Sequence, residues 1–246
     1  MTDRPDYFDV AGEPNFFEGS FAADPTENEV LPLDGRQDEI GTVRDLVGNE
    51  PALTGQAEQA QLGEWIGRKR SECTASGSLL VTVTAALIAG PFSIIGVFMS
   101  GSQTSWRLVY LILFGPIIEE LLKQSGMIYL LEKRPYRLFT AWQFILAAII
   151  SAMVFAAVEN LLYIHLYTRP SMFNGPQAFV CYRWTVCLLV HVTCSIVASI
   201  GLMNVWQKQM ADGRAADLSQ AFGYFATAMG IHGLYNLSVT LINHHF

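Results

Sequence analysis

Charge is scarce in this sequence. Only 15% of the 246 residues are Asp, Glu, Lys or Arg, against about 25% in an ordinary soluble domain, and the deficit argues against a water-facing globular fold. Dense basic patches are missing too. That removes the electrostatic footprint of a nucleic-acid binder, so no nucleic acid is expected among its partners. Cysteine is limited to four residues, and Cys181, Cys187 and Cys194 share one apolar run, which is no disulfide framework. The first residues lack the basic region and apolar core of a signal peptide.

The charge that is present is unevenly placed. Residues 1–75 hold 16 of the 22 acids but only 6 of the 15 bases, whereas residues 76–246 hold 6 acids and 9 bases. The chain therefore divides into an acidic tail (1–75) and an apolar body (76–246). Residues 1–52 mix Asp, Glu, Gly, Pro and Asn with scattered aromatics such as Tyr7, Phe16 and Phe21, and show no helical or strand period. Such a composition cannot bury enough apolar surface to offset chain entropy, so a mostly disordered tail is expected. Its aromatics offer a docking motif for a cytosolic partner. Residues 53–70 read as a short juxtamembrane helix ending in Arg68-Lys69-Arg70.

Long apolar runs follow. A helix needs about 20 residues to cross a ~30 Å hydrocarbon core, and residues 78–100, 107–131, 138–167, 177–205 and 219–243 supply five such runs. Only helices and closed barrels span a bilayer, and these runs are too long for strands. The expected fold class is all-α: a polytopic membrane bundle of about five spanning helices, in contact with membrane lipids, behind a disordered acidic tail. With the N-terminus in the cytoplasm, Arg68, Lys69, Arg70, Lys133, Arg134, Arg137, Lys208 and Arg214 all fall on the inner side. The asymmetry favours N-terminus in, C-terminus out, in a plasma (inner) membrane.

Ionisable groups at membrane depth are costly and default to functional hypotheses. Four spans each contribute here. In Gly115-Pro116-Ile117-Ile118-Glu119-Glu120-Leu121-Leu122-Lys123, the lysine lies one helical turn from both acids. Phe155, Glu159 and Tyr163 recur at i, i+4 and i+8 with Asn160 beside them, and Glu159 has no cation in its own span. It needs a partner from another. His191 stands alone in the fourth run, and His232 shares a face with Asn236 in the fifth. Glu159, His191 and His232 form the donor set of a zinc site, with Glu119 or Glu120 as proton acceptor for a bound water. A charge-neutralised structural cluster, a proton or cation pathway, or a membrane scaffold with an inactive binding site would use the same residue types.

The four motifs in this order resemble the PrsW family of intramembrane proteases, within the wider group of CAAX-processing and bacteriocin-processing membrane proteases. The matching residues are Glu119-Glu120-Leu121-Leu122-Lys123, Phe155 to Asn160, His191, and His232 to Asn236, and the resemblance covers about residues 80–243. It implies a metalloendopeptidase that cuts a single-pass or other membrane protein. Glu119 and Glu120 would supply the base and its support, Glu159, His191 and His232 the metal ligands, and Asn236 an oxyanion donor. Lys123, Asn160 and Tyr163 would support them. The implied cofactor is a divalent metal, by its ligands Zn2+. A glutamate-activated water without metal, argued for some members of the wider group, stays open.

Overall fold

In a computed structural model of the chain, the described residues are 51–89, 91, 95, 107–166 and 175–245, and among them there is no strand. The acidic tail up to residue 50 lies outside them. Helix α1 (Pro51–Ser71) ends in its basic cluster, and α2 (Ala75–Ala89) follows after a sharp corner. A π-helical turn, Tyr110–Phe114, leads into α3 (Gly115–Lys133). Then come α4 (Trp142–Leu166), α5 (Pro176–Tyr182), a second π turn (Arg183–Cys187), α6 (Leu188–Asp212) and α7 (Phe222–His245).

The ends follow from local chemistry. Helix α6 stops at Gly213, which takes the left-handed conformation (φ 66°) and returns its N–H to the Gln209 carbonyl. Before α4, the Gln143 side chain accepts hydrogen bonds from the backbone N–H groups of Phe139 (2.7 Å) and Thr140 (2.9 Å). The amide end of Gln143 then donates to Ser78 Oγ (2.9 Å) and Thr82 Oγ1 (2.8 Å) on α2. One buried side chain thus starts α4 and fixes α2 against it.

Helix α6 is the centre of the bundle and packs against α3, α4 and α7, while α2 packs against α3 and α4. Their shared core contains Met127, Leu131, Phe144, Ala147, Ala198 and Leu202. Close approach is permitted by small residues: a Cβ at Gly126 would sit 2.3 Å from the Ala85 carbonyl oxygen, and one at Gly201 2.8 Å from Tyr224 Cβ. The outside is apolar as well. Leu80, Leu189, Phe222 and Leu234 are each at least 65% exposed, whereas the fully enclosed side chains include Lys123, Glu120, Gln124 and Asn160. Polar inside and apolar outside is the arrangement a lipid solvent favours.

Three helical stretches are long and apolar enough to cross a membrane: Trp142–His165, Pro176–Asp212 and Leu218–Ile242. A fourth arises if Gln61–Ser71 and Ala75–Ile88, bent by 104°, count as one broken span. The chain is an integral membrane protein with three to four such helices among the described residues, where the sequence shows five apolar runs. Two physical reasons account for the difference. The run 107–131 contains Glu119, Glu120 and Lys123, whose charges remove it from the purely apolar class. The run 78–100 extends past Ala89 into positions mostly outside the described residues.

Candidate active site

The first site residues stand where α3 begins. Pro116 has no N–H to donate back along the helix, so the carbonyls of the preceding turn lose a partner. That turn widens into the π geometry, with the Gly115 N–H reaching the Tyr110 carbonyl. The vacancy is filled from α7: Asn236 Nδ2 donates to the Leu111 carbonyl at 2.9 Å. Gly233 meets the next carbonyl, since a Cβ there would lie 2.3 Å from Ile112 O. His232 is thereby held against the acids of α3.

Glu119, Glu120 and Lys123 are all buried. Glu120 Oε1 accepts a hydrogen bond from Lys123 Nζ at 2.7 Å and lies 2.8 Å from His232 Nδ1. Lys123 Nζ also lies 2.8 Å from His191 Nδ1 and sits 4.6 Å from the centre of the Phe155 ring. The two imidazoles meet edge to face, with centroids 5.0 Å apart and planes at 83°. Glu159 reaches in from α4, its Oε2 2.6 Å from His191 Nε2. Four helices therefore converge on one buried point, and the isolated polar residues of four apolar runs prove to be neighbours.

The arrangement fits a metal ion on three counts. One ligand-type atom from each of Glu119, His191 and His232 lies within 4.8 Å of the others. Glu119 Oε2 is buried without a hydrogen-bond partner, 3.7 Å from His232 Nε2. Two ligands at ~2.1 Å from one tetrahedral ion are separated by roughly that much. Finally, three carboxylates (Glu119, Glu120, Glu159) face one ammonium and one guanidinium, leaving a net negative pocket. The carboxylate in this cluster is Glu119; Glu159, expected as a ligand from sequence, stands beside it, its Oε2 2.6 Å from His191 Nε2. The three cysteines of the fourth run take no part: Cys194 is buried in the core, Cys181 is exposed, and Cys187 Sγ lies 2.9 Å from Tyr235 OH.

The supporting residues separate into two groups. Lys123 stands inside the cluster. Asn160 and Tyr163 stand behind Glu159, gathered around Arg183, which the sequence reading left without a role. Arg183 Nη2 lies 3.4 Å from Glu159 Oε1, its Nε donates to Asn160 Oδ1 at 2.8 Å, and its guanidinium stacks 4.2 Å over the Tyr163 ring. It is the partner from another span that Glu159 required. Its signal was a single arginine eight residues before His191 inside an apolar run.

Residues 72–246 match the model of a family described as PrsW family intramembrane metalloprotease. The chain belongs to the PrsW family. No curated protein and no solved structure matches it. As a PrsW-family intramembrane metalloprotease, it carries the buried Glu/His cluster that metal-assisted peptide hydrolysis requires.

Proposed function

We propose that the chain hydrolyses a peptide bond of a single-pass or other membrane protein, in or beside the bilayer, with zinc held by Glu119, His191 and His232. The observation that carries this reading is the grouping of these three residues, from α3, α6 and α7, within 4.8 Å in a buried site. When bound, the ion would polarise the scissile carbonyl and bring its water into the neutral pKa range.

The protein's own groups have separate tasks. Glu120 Oε1 accepts from His232 Nδ1, which fixes the tautomer and leaves Nε2 for the ion. Lys123 keeps Glu120 in place through its 2.7 Å contact. Glu159, whose Oε2 lies 2.6 Å from His191 Nε2, takes the water's proton at its carboxylate and delivers it to the leaving amine. Asn236 Nδ2 spends one hydrogen on Leu111, and its second hydrogen is left to meet the developing oxyanion.

On this reading the body crosses the membrane five times, with α3 as a charged span enclosed by α2, α4, α6 and α7. The inner end carries the bases. Arg70 donates to the Phe139 carbonyl at 2.9 Å, and Ser78 Oγ bonds the Arg137 carbonyl, which supports a cytoplasmic N-terminus and a C-terminus outside. The acidic tail takes a cytosolic partner.

The test is cleavage of a single-pass reporter by the purified full chain in liposomes, with metal analysis. Glu119→Gln and His232→Ala are expected to lose both bound zinc and cleavage, whereas Glu159→Gln keeps the zinc and loses cleavage. Full activity in Glu119→Gln and His232→Ala would refute the site.

A further inference from the structure

We infer that Arg183 is a positioning residue that holds the carboxylate of Glu159 in its working orientation. The inference rests on the reading of Glu159 as the proton acceptor. Glu159 is a buried carboxylate on α4, a long and largely apolar helix on which it is the one acid. A carboxylate turns freely about its terminal bonds unless both oxygens are held. On one side stands the His191 ring, its Nε2 2.6 Å from Oε2. On the other stands the Arg183 guanidinium as an ion pair, its Nη2 3.4 Å from Oε1.

What makes Arg183 more than a counter-ion is the way it is fixed in turn. Its Nε donates to Asn160 Oδ1 at 2.8 Å, and Asn160 Nδ2 donates back to the Arg183 backbone carbonyl at 2.9 Å. The pair forms a closed ring between α4 and the second π turn. The guanidinium face rests on Tyr163, 4.2 Å from the ring centre. Glu159, Asn160 and Tyr163 belong to one stretch of α4, so a single arginine engages all three. The π turn Arg183–Cys187 is itself part of the device. It leaves the carbonyl of its first residue to the Asn160 amide, and such turns cluster at functional sites.

Arginine suits this task and lysine does not. The planar fork lets one group point at the carboxylate while another stays on the amide and the face stays on the ring. A lysine supplies the charge but cannot make the three contacts together. The geometry therefore separates charge from orientation, and the two are distinguishable by substitution.

The experiment measures kcat, KM and the melting temperature for Arg183→Lys, Arg183→Gln and Asn160→Ala in the full chain, on the same reporter. Positioning predicts a kcat about 100-fold lower in Arg183→Gln, the scale of a small misplacement at a reacting centre, with KM within twofold of the parent. Arg183→Lys recovers part of that loss. Asn160→Ala, which frees the guanidinium without removing its charge, shows a kcat loss of about tenfold at unchanged KM. Should Arg183→Gln fail to fold, the other two variants carry the test. Parental kcat in Arg183→Lys and Asn160→Ala would overturn the inference, as would losses that track melting temperature and leave kcat per folded molecule unchanged. If Glu159→Gln retains full activity, the underlying reading fails instead, and that result is read independently of Arg183.

Discussion

His232 and Glu120 are joined across the bundle, Nδ1 to Oε1 at 2.8 Å, and the same carboxylate oxygen receives Lys123 at 2.7 Å. One oxygen of α3 thus sets the ring of α7 and anchors the only lysine among the clustered groups. Partners of this kind, behind a ligand, typically contribute 10- to 100-fold in metal affinity. Glu120→Gln is expected to weaken zinc binding by about that factor, measured by competition with a chromophoric chelator. An unchanged affinity would show that His232 is oriented by other contacts.

Removing the metal has a stability signature as well as an activity signature. A ligand that binds only the folded state stabilises it by mass action, by about 2.7 kcal/mol at a hundred times its Kd. Zinc added to chelator-treated protein is expected to raise the melting temperature of the parent and of Glu159→Gln, and to leave His191→Ala and His232→Ala unmoved. Equal shifts in all four would place the ion elsewhere.

The glycines of the bundle divide sharply. A Cβ at Gly233 would meet the Ile112 carbonyl oxygen at 2.3 Å, while one at Gly67 meets nothing within 4 Å. Gly233→Ala is expected to push α7 off the first π turn and to reduce cleavage at least tenfold, because His232 moves with it. Gly67→Ala, on an exposed helical face, should be neutral or gain up to about 1 kcal/mol through the unfolded chain. Parental activity in Gly233→Ala would show that α7 can back away from α3 without disturbing the cluster.

The Gln143 bridge is testable by stability alone. Gln143→Leu uncaps α4 by leaving the Phe139 and Thr140 N–H groups without their acceptor and removes the amide's bonds to the Ser78 and Thr82 hydroxyls, and a polar group left without its partner costs about 1–3 kcal/mol. A loss of several degrees in melting temperature with little change in KM is expected. A larger change in KM than in melting temperature would tie this end of the bundle to substrate binding.

Much of the site was legible because lipid makes polar residues conspicuous. Glu119, Glu120 and Lys123 stand out together in one apolar run, Glu159, His191 and His232 singly in three others, and the bundle brings them together. What the sequence could not supply was pairing across helices. It set Glu159 among the imidazoles, whereas the carboxylate grouped with them is Glu119, on the helix that begins at the π turn before Pro116. It also gave Arg183 no role, although this residue is the cation that Glu159 lacked. Asn236 read as a site group, and its amide proves to be bonded to a backbone carbonyl that a proline left short. Hydropathy marks three to four spans among the described residues and counts the charges of α3 without seeing that other helices enclose them.

The distribution of the site over α3, α4, α6 and α7 also governs when it comes into being. Its groups lie at positions 119, 159, 191 and 232, and helices enter the membrane in chain order as the ribosome delivers them. Until the helix bearing His232 docks, the first π turn lacks its Asn236 partner and the cluster lacks one imidazole. A half-made chain therefore carries no hydrolytic centre. Activity begins only with the last of these helices, so the newborn enzyme is silent toward its neighbours in the membrane until its own assembly is finished.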